Sequence, residues 1–400
     1  MVTSSLDTRA RHIRGILARR PPAGFDDIGL ESVEETPAAG AMHPDDVLAR
    51  VDAVLQGMPA DEKGDEENFR KALKTLLESG EPALKKLVQP GATGMTADDV
   101  VSLEAIVVTD GSRPSFLLRN GGNFDPNHPF LLDWRADMIA FAPTLKQLAA
   151  GVGRVQPANG NASNFIGTGA LVDRDNGYVL TNYHVVDDAR TRFGVAMEGD
   201  SKLLTVTGDL FIDFDGETST AQQNCFRVKE VRLPEGFGRG FAGLDAVVMR
   251  VEPLNQSGGA LPAKPIQLSA EADFANGASP TLVTIGFPGE PDTATPPGAT
   301  IDWTFVIKTL FGNRFGVKRV APGRFMEGPG AVTGDNFARV LSHDATTFGG
   351  ASGSLVFAWK DEGAPGFGLH FAGATLSANN AVSLHKAADA LRNIGVPIEN

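Results

Sequence analysis

The sequence predicts a mainly β chain that ends in a packed helix and is preceded by a smaller α-rich region. From about residue 151 short apolar segments recur: "GTGALVD", "GYVLTNYHVV", "DLFIDFD", "DAVVMRVE", "TLVTIGFP", "SGSLVFAW" and "GLHFAGATL", punctuated by Gly, Pro, Asn and Asp. No helical period separates them, which favours a barrel or sandwich over a doubly wound sheet. Before residue 151 the apolar residues instead follow a 3.6-residue period.

In chain order, "MVTSSLDTRARHIRGILARR" is basic but lacks an apolar run of signal-peptide length. The Arg-rich start is also compatible with a short transit-like or membrane-surface helix. Residues 21–42, rich in Pro, Gly and acids, read as a linker, so residues 1–42 are expected to form a mobile arm. "HPDDVLARVDAVLQGM" carries Val47, Leu48, Val51, Val54 and Leu55 on one helical face. "EENFRKALKTLLESGEPALKKLVQ" repeats the pattern and is expected to break at Gly80 and Pro82. "LEAIVV" and "PSFLLR" around "TDGSR" predict a strand, a turn and a strand. After the β segments, "LHKAADALRNIG" aligns Leu384, Ala388, Leu391 and Ile394 as a helix.

Composition narrows the function. At 400 residues with 42% hydrophobic and 21% charged content, the chain has room for two or three domains and for an enzyme. A formal charge of −13 argues against nucleic acid or an anionic membrane as partner. The single cysteine, Cys225, excludes an intrachain disulfide framework, and no segment approaches the length of a membrane span. A cytoplasmic location is expected. No His, Cys or carboxylate cluster has metal-ligand spacing, so neither metal nor organic cofactor is expected.

"TTFGGASGSLVF" places Ser352 among small residues. Such a run serves a tight turn, or lets N–H groups converge beside a nucleophile. A serine nucleophile needs a histidine base and a group that orients it. His184 ends the apolar segment "YVLTNYHVV". Asp245 in "GLDAVVMRV" is the favoured orienting carboxylate, with Asp213 and Asp215 of "FIDFDGE" as rivals on an alternating strand. The order His, Asp, Ser differs from that of subtilisin and the α/β-hydrolases, and G-A-S-G-S is not a G-x-S-x-G elbow.

Together, "GTGALV", "LTNYHVV", "LDAVVMRV", "IGFPG", "HDATTFGGASGSLVF" and "GLHFAG" resemble, in order, signature segments of bacterial trypsin-like, chymotrypsin-fold serine peptidases over about residues 151–396. The resemblance implies a two-barrel peptidase domain at 151–400 and a protein or peptide substrate; the helical patterns before it predict an α-rich accessory region at 43–150. It makes His184 the base, Asp245 its orienting carboxylate and Ser352 the nucleophile. The N–H groups of Gly350 and Ser352 would form the oxyanion hole. "TNxHV", "GGxSGS" and "LHFAG" are closest to the glutamyl endopeptidase-like subgroup. Thr346, six residues before the serine, disfavours basic specificity. Thr347 and His370 match positions that hold an acidic side chain, and a protonated His370 would add charge. Leu355 and Tyr183 depart from the usual residues without touching a reacting atom. Ala351 stands where many zymogens of the family place an aspartate for a new N-terminal ammonium. Control is therefore expected through the N-terminal region or a partner docked on it. The alternatives are a catalytically silent peptide-binding barrel and a non-proteolytic acyl hydrolase.

Overall fold

The computed structural model describes residues 5–17, 43–89, 93–218, 224–291, 295–374 and 378–399. The linker expected at 21–42 lies outside the described residues. Residues 5–17, expected within the mobile arm, instead form a helix, Ser5–Leu17, whose Ala10, Ile13 and Leu17 are buried. Their spacing puts them on one face.

Two further corrections concern the helical region. Glu66–Val88 is one helix that runs through Gly80 and Pro82. Burial of Leu76, Gly80, Ala83, Leu84 and Leu87 continues on one face across the proline, so packing outweighs the lost backbone hydrogen bond. Gly80 is a contact point: a Cβ there would lie 2.8 Å from Ile106 Cδ1 of the neighbouring helix. That neighbour, Ala97–Thr109, contains "LEAIVV", expected as a strand. It starts at a capping box, in which Thr96 Oγ1 accepts from Asp99 N and Asp99 Oδ2 from Thr96 N. Every residue from Asp99 to Thr109 is buried, so no solvent-facing stripe marks the helical period. "PSFLLR" contributes only the strand Phe116–Leu117.

The β region forms two closed six-stranded barrels. In the first, the order around the barrel is Cys225–Arg232, Leu210–Asp213, Val152–Pro157, Gly167–Asp173, Tyr178–Thr181 and Val247–Val251, and the last pairs back with the first. In the second it is Arg319–Glu327, Thr281–Gly286, Leu355–Phe357, Gly366–Ala374, Ala378–Ser383 and Val340–His343, again closing on its first strand. Closure removes the free sheet edges. The helix Leu384–Arg392 covers the end of the chain and buries Leu384, Ala388 and Leu391. Among the described residues no helix is long and apolar enough to cross a membrane.

The first barrel has its own core, with Val155, Leu171, Ile212, Phe226 and Met249 fully or almost fully buried. The helical region shares a core with the second barrel. Phe116 and Leu117 pair antiparallel with Val320 and Arg319. Asp98 accepts from Trp303 Nε1 and Thr300 Oγ1, both at 2.8 Å. Buried Lys318 donates to Ala149 O at 2.8 Å and Phe214 O at 2.6 Å, and burial pushes its ammonium down to about 8.

Glu104 is fully buried in the helix Ala97–Thr109 and its Oε1 accepts from Arg9 Nη2. Burial pushes its carboxyl up to about 8 from 4.5, against the opposing pull of Arg9. Between those values the folded chain holds the proton that the unfolded chain has lost, so this group withdraws stability as pH rises through the window. Glu104→Gln is expected to flatten that decline, which is on the order of a few kcal/mol, in denaturant titrations from pH 4 to 9. An unchanged slope would count against it.

Candidate active site

His184 and Asp245 are brought together by neighbouring strands. Tyr178–Thr181 pairs antiparallel with Val247–Val251, with Thr181 opposite Val247. The chain then turns at Asn182 into the helix Tyr183–Thr191, and Asn182 Nδ2 donates to Asp245 O at 2.7 Å. Asp245 is fully buried. Its Oδ1 accepts from His184 N at 3.0 Å, and its Oδ2 from Gly240 N at 2.6 Å and His184 Nδ1 at 2.8 Å. An ionised carboxylate only accepts, so the Nδ1 proton sits between ring and acid and Nε2 is left as the basic nitrogen.

The rival carboxylates lie elsewhere. Asp213 is 1% exposed and packs against Arg154, with Arg154 Nη2 at 3.2 Å from Asp213 Oδ2. Burial, and then Asp213, raise the Asp215 carboxyl.

Ser352 sits in the turn before Leu355–Phe357, held by the first barrel. Thr168 N donates to Ser352 O at 2.8 Å and Thr168 Oγ1 to Gly350 O at 3.0 Å. A Cβ at Gly167 would lie 2.7 Å from Val185 Cγ2 and 3.1 Å from Ser352 O, so the residue after His184 and the serine flank one glycine. Gly350 and Gly353 take φ of +88° and +92°, and a Cβ at Gly353 would run into the Thr168 carbonyl. The Gly350 and Ser352 N–H groups donate to no protein partner among the described residues. The Ser352 hydroxyl donates to Phe371 O at 3.4 Å. Phe371 meets Phe241 edge to face at 5.3 Å, next to the Gly240 that caps Asp245.

Thr346, Thr347 and His370 are all buried beside this turn. Thr346 Oγ1 donates to Arg113 O at 2.6 Å, and Thr347 Oγ1 donates to Asn379 Oδ1 at 2.6 Å. His370 brackets the serine turn with its backbone: Gly353 N donates to His370 O at 2.9 Å and His370 N to Ser354 O at 2.8 Å. Burial, then His343 and His184, hold the His370 ring well below its usual range. The ring is neutral at pH 7, so a protonated His370 is at odds with its surroundings.

Three neighbours went unmarked in the sequence. The His343 ring lies 5.5 Å from the His370 ring, and burial pushes it down to about 3. The alternation of Val340–His343 places it on the inward face with Leu341, a signal that was legible. Asn379, which also donates to Ala345 O at 2.6 Å, and Arg113 carried no local signal. Among the described residues no three His, Cys, Asp or Glu side chains converge as a metal site. Cys225 is half-buried and burial pushes its thiol up to about 12, away from nucleophilic chemistry.

Two closed barrels with a histidine on one and a serine turn on the other define a trypsin-like serine peptidase, and the chain belongs to that family. The profile of the trypsin-like peptidase domain matches residues 167–364. A probable serine protease of Lysobacter enzymogenes is 44% identical over 389 residues, covering 97% of this chain and 98% of its own. Among solved structures, the Rv3671c protease in its inactive form aligns with 64% of this chain and 96% of its own at 17% identity and a TM-score of 0.36. The active form from M. tuberculosis aligns with 66% of this chain and 88% of its own, also at 17% identity and a TM-score of 0.36. The protein is a serine endopeptidase.

Proposed function

We propose that this endopeptidase cleaves proteins or peptides through His184, Asp245 and Ser352, with a preference for an acidic residue before the scissile bond. The observation that carries the triad is the buried Asp245 carboxylate, fixed by the Gly240 and His184 backbone N–H groups, with His184 Nδ1 at 2.8 Å from its Oδ2.

In the reaction the Ser352 hydroxyl turns from Phe371 O toward His184 Nε2 and attacks the scissile carbonyl as the ring takes its proton. Asp245 stabilises the resulting imidazolium. The carbonyl oxygen becomes an oxyanion, for which the N–H groups of Gly350 and Ser352 are the donors; losing one such donor typically costs ~2.7–4 kcal/mol. The imidazolium gives its proton to the leaving amine, and water repeats the sequence on the acyl-enzyme.

The acidic preference is supported by the neutral His370 ring and by a threonine, not a carboxylate, six residues before the serine; the Thr346 and Thr347 hydroxyls already donate to Arg113 O and Asn379 Oδ1. A neutral ring contributes a hydrogen bond and not a charge. In a peptide library, cleavage after Glu or Asp is expected to dominate over Lys or Arg. His370→Ala should weaken the acidic preference roughly tenfold or more while slowing other substrates less. A profile dominated by cleavage after Arg would contradict the preference and leave the triad standing.

A further inference from the structure

The turn that follows the helix Ala97–Thr109 reaches from the helical region to the segment leading into Ser352. Arg113 Nη2 donates to Asp344 Oδ2 at 2.5 Å, with side chains 7% and 3% exposed. The Arg113 carbonyl also accepts from Thr346 Oγ1 at 2.6 Å. Asp344 uses its other oxygen to accept from Arg324 N at 2.7 Å, so the guanidinium and a barrel strand share one carboxylate.

Arg113 is itself held rigidly. Its N–H donates to Val107 O at 2.9 Å, its Nη1 to Ser112 O at 2.6 Å, and its guanidinium lies 6.0 Å from the Trp134 ring. The segment it grips is short: Asp344 is eight positions before Ser352 in the sequence, and Thr346 and Thr347 lie between them. A buried ion pair contributes little net stability compared with apolar packing, whereas it fixes geometry because neither partner tolerates separation.

We propose that Arg113 is a positioning residue for the substrate pocket: through Asp344 and Thr346 it holds segment 344–348 in its competent shape, making the helical region a structural part of the active site. The proposal rests on Ser352 being the nucleophile. It also supplies, from within the chain, a cation for the pocket segment where Ala351 offers no acid for a free N-terminus.

The test uses the full-length chain and the best peptide from the library. Arg113→Met and Asp344→Asn are expected to raise KM about tenfold or more with a smaller fall in kcat, assayed well below each variant's own melting temperature. Arg113→Lys, which keeps a cation within reach of Asp344, should recover most of that loss. Asp98→Asn loosens the same helical region where it meets Trp303, and should lower the melting temperature without moving KM. Unchanged KM in folded Arg113→Met would overturn the proposal, as would an equal rise in Asp98→Asn at matched destabilisation. If Arg113→Met does not fold, Asp344→Asn decides, since its amide oxygen can still accept from Arg324 N. Labelling with a fluorophosphonate, mapped by mass, separates the two levels. Wild type modified away from Ser352 overturns both proposals; equal labelling of Ser352 in wild type and Arg113→Met with unchanged KM overturns this one alone.

Discussion

Ser352→Ala and His184→Ala are each expected to lower kcat for peptide hydrolysis by about 10⁴- to 10⁶-fold, with the fold retained. The fold should survive for a local reason. The Ser352 hydroxyl makes a single long bond of 3.4 Å to Phe371 O, and its loss leaves that carbonyl one weak partner short. Removing the His184 ring leaves the Asp245 carboxylate with the backbone N–H groups of Gly240 at 2.6 Å and of residue 184 at 3.0 Å, so the buried charge is still compensated. Because the residues act as a unit, the double variant should be little slower than either single one. Kinetics on a fluorogenic peptide, with circular dichroism to check folding, measure this. Near-normal turnover by contaminant-free Ser352→Ala would end the assignment.

Asp245→Asn is expected to cost about 10⁴-fold in kcat at neutral pH. The reason lies in the donors around the carboxylate. Oδ2 accepts two N–H groups and Oδ1 one, and an amide offers a single acceptor atom. If the amide nitrogen takes the Oδ2 position it faces Gly240 N–H and presents a donor to His184 Nδ1. The ring then adopts the tautomer with its proton on Nε2, facing the serine, and cannot act as base. If it takes the Oδ1 position, it opposes the His184 backbone N–H and strains the turn that presents the ring. Activity rising steeply at alkaline pH would fit the tautomer explanation; wild-type kcat would refute the role of Asp245.

The β region and its candidate residues were legible because each sits in a local pattern. Asp245 and His184 flank apolar strands that pair with each other, and Ser352 follows the glycines its turn needs. The buried helix Ala97–Thr109 was misread because burial on every side erases the alternation by which helix and strand differ in sequence. Gly80 and Pro82 were misread as a break because the helix is carried across them by tertiary packing of its buried face, with Ile106 of another helix against Gly80. Arg113 was invisible for a different reason: its partner Asp344 is 231 positions away, and no local pattern encodes such a pairing.

The strand Phe116–Leu117 adds to a sheet whose receiving strand is made about two hundred residues later; Ser115 O, for instance, accepts from Arg319 Nη1 across 204 positions. During synthesis the helices therefore leave the ribosome before the surface that covers them exists, while the first barrel, between them in sequence, can close alone. At about 5–20 residues per second, that interval is on the order of ten to forty seconds. Throughout it, apolar faces around Phe116 and Val108 await Val320 and its neighbours. A nascent chain stalled before Arg319 would expose that surface to chaperones. The serine turn comes later still, so the strand that receives Phe116–Leu117 is made before the active site can be completed.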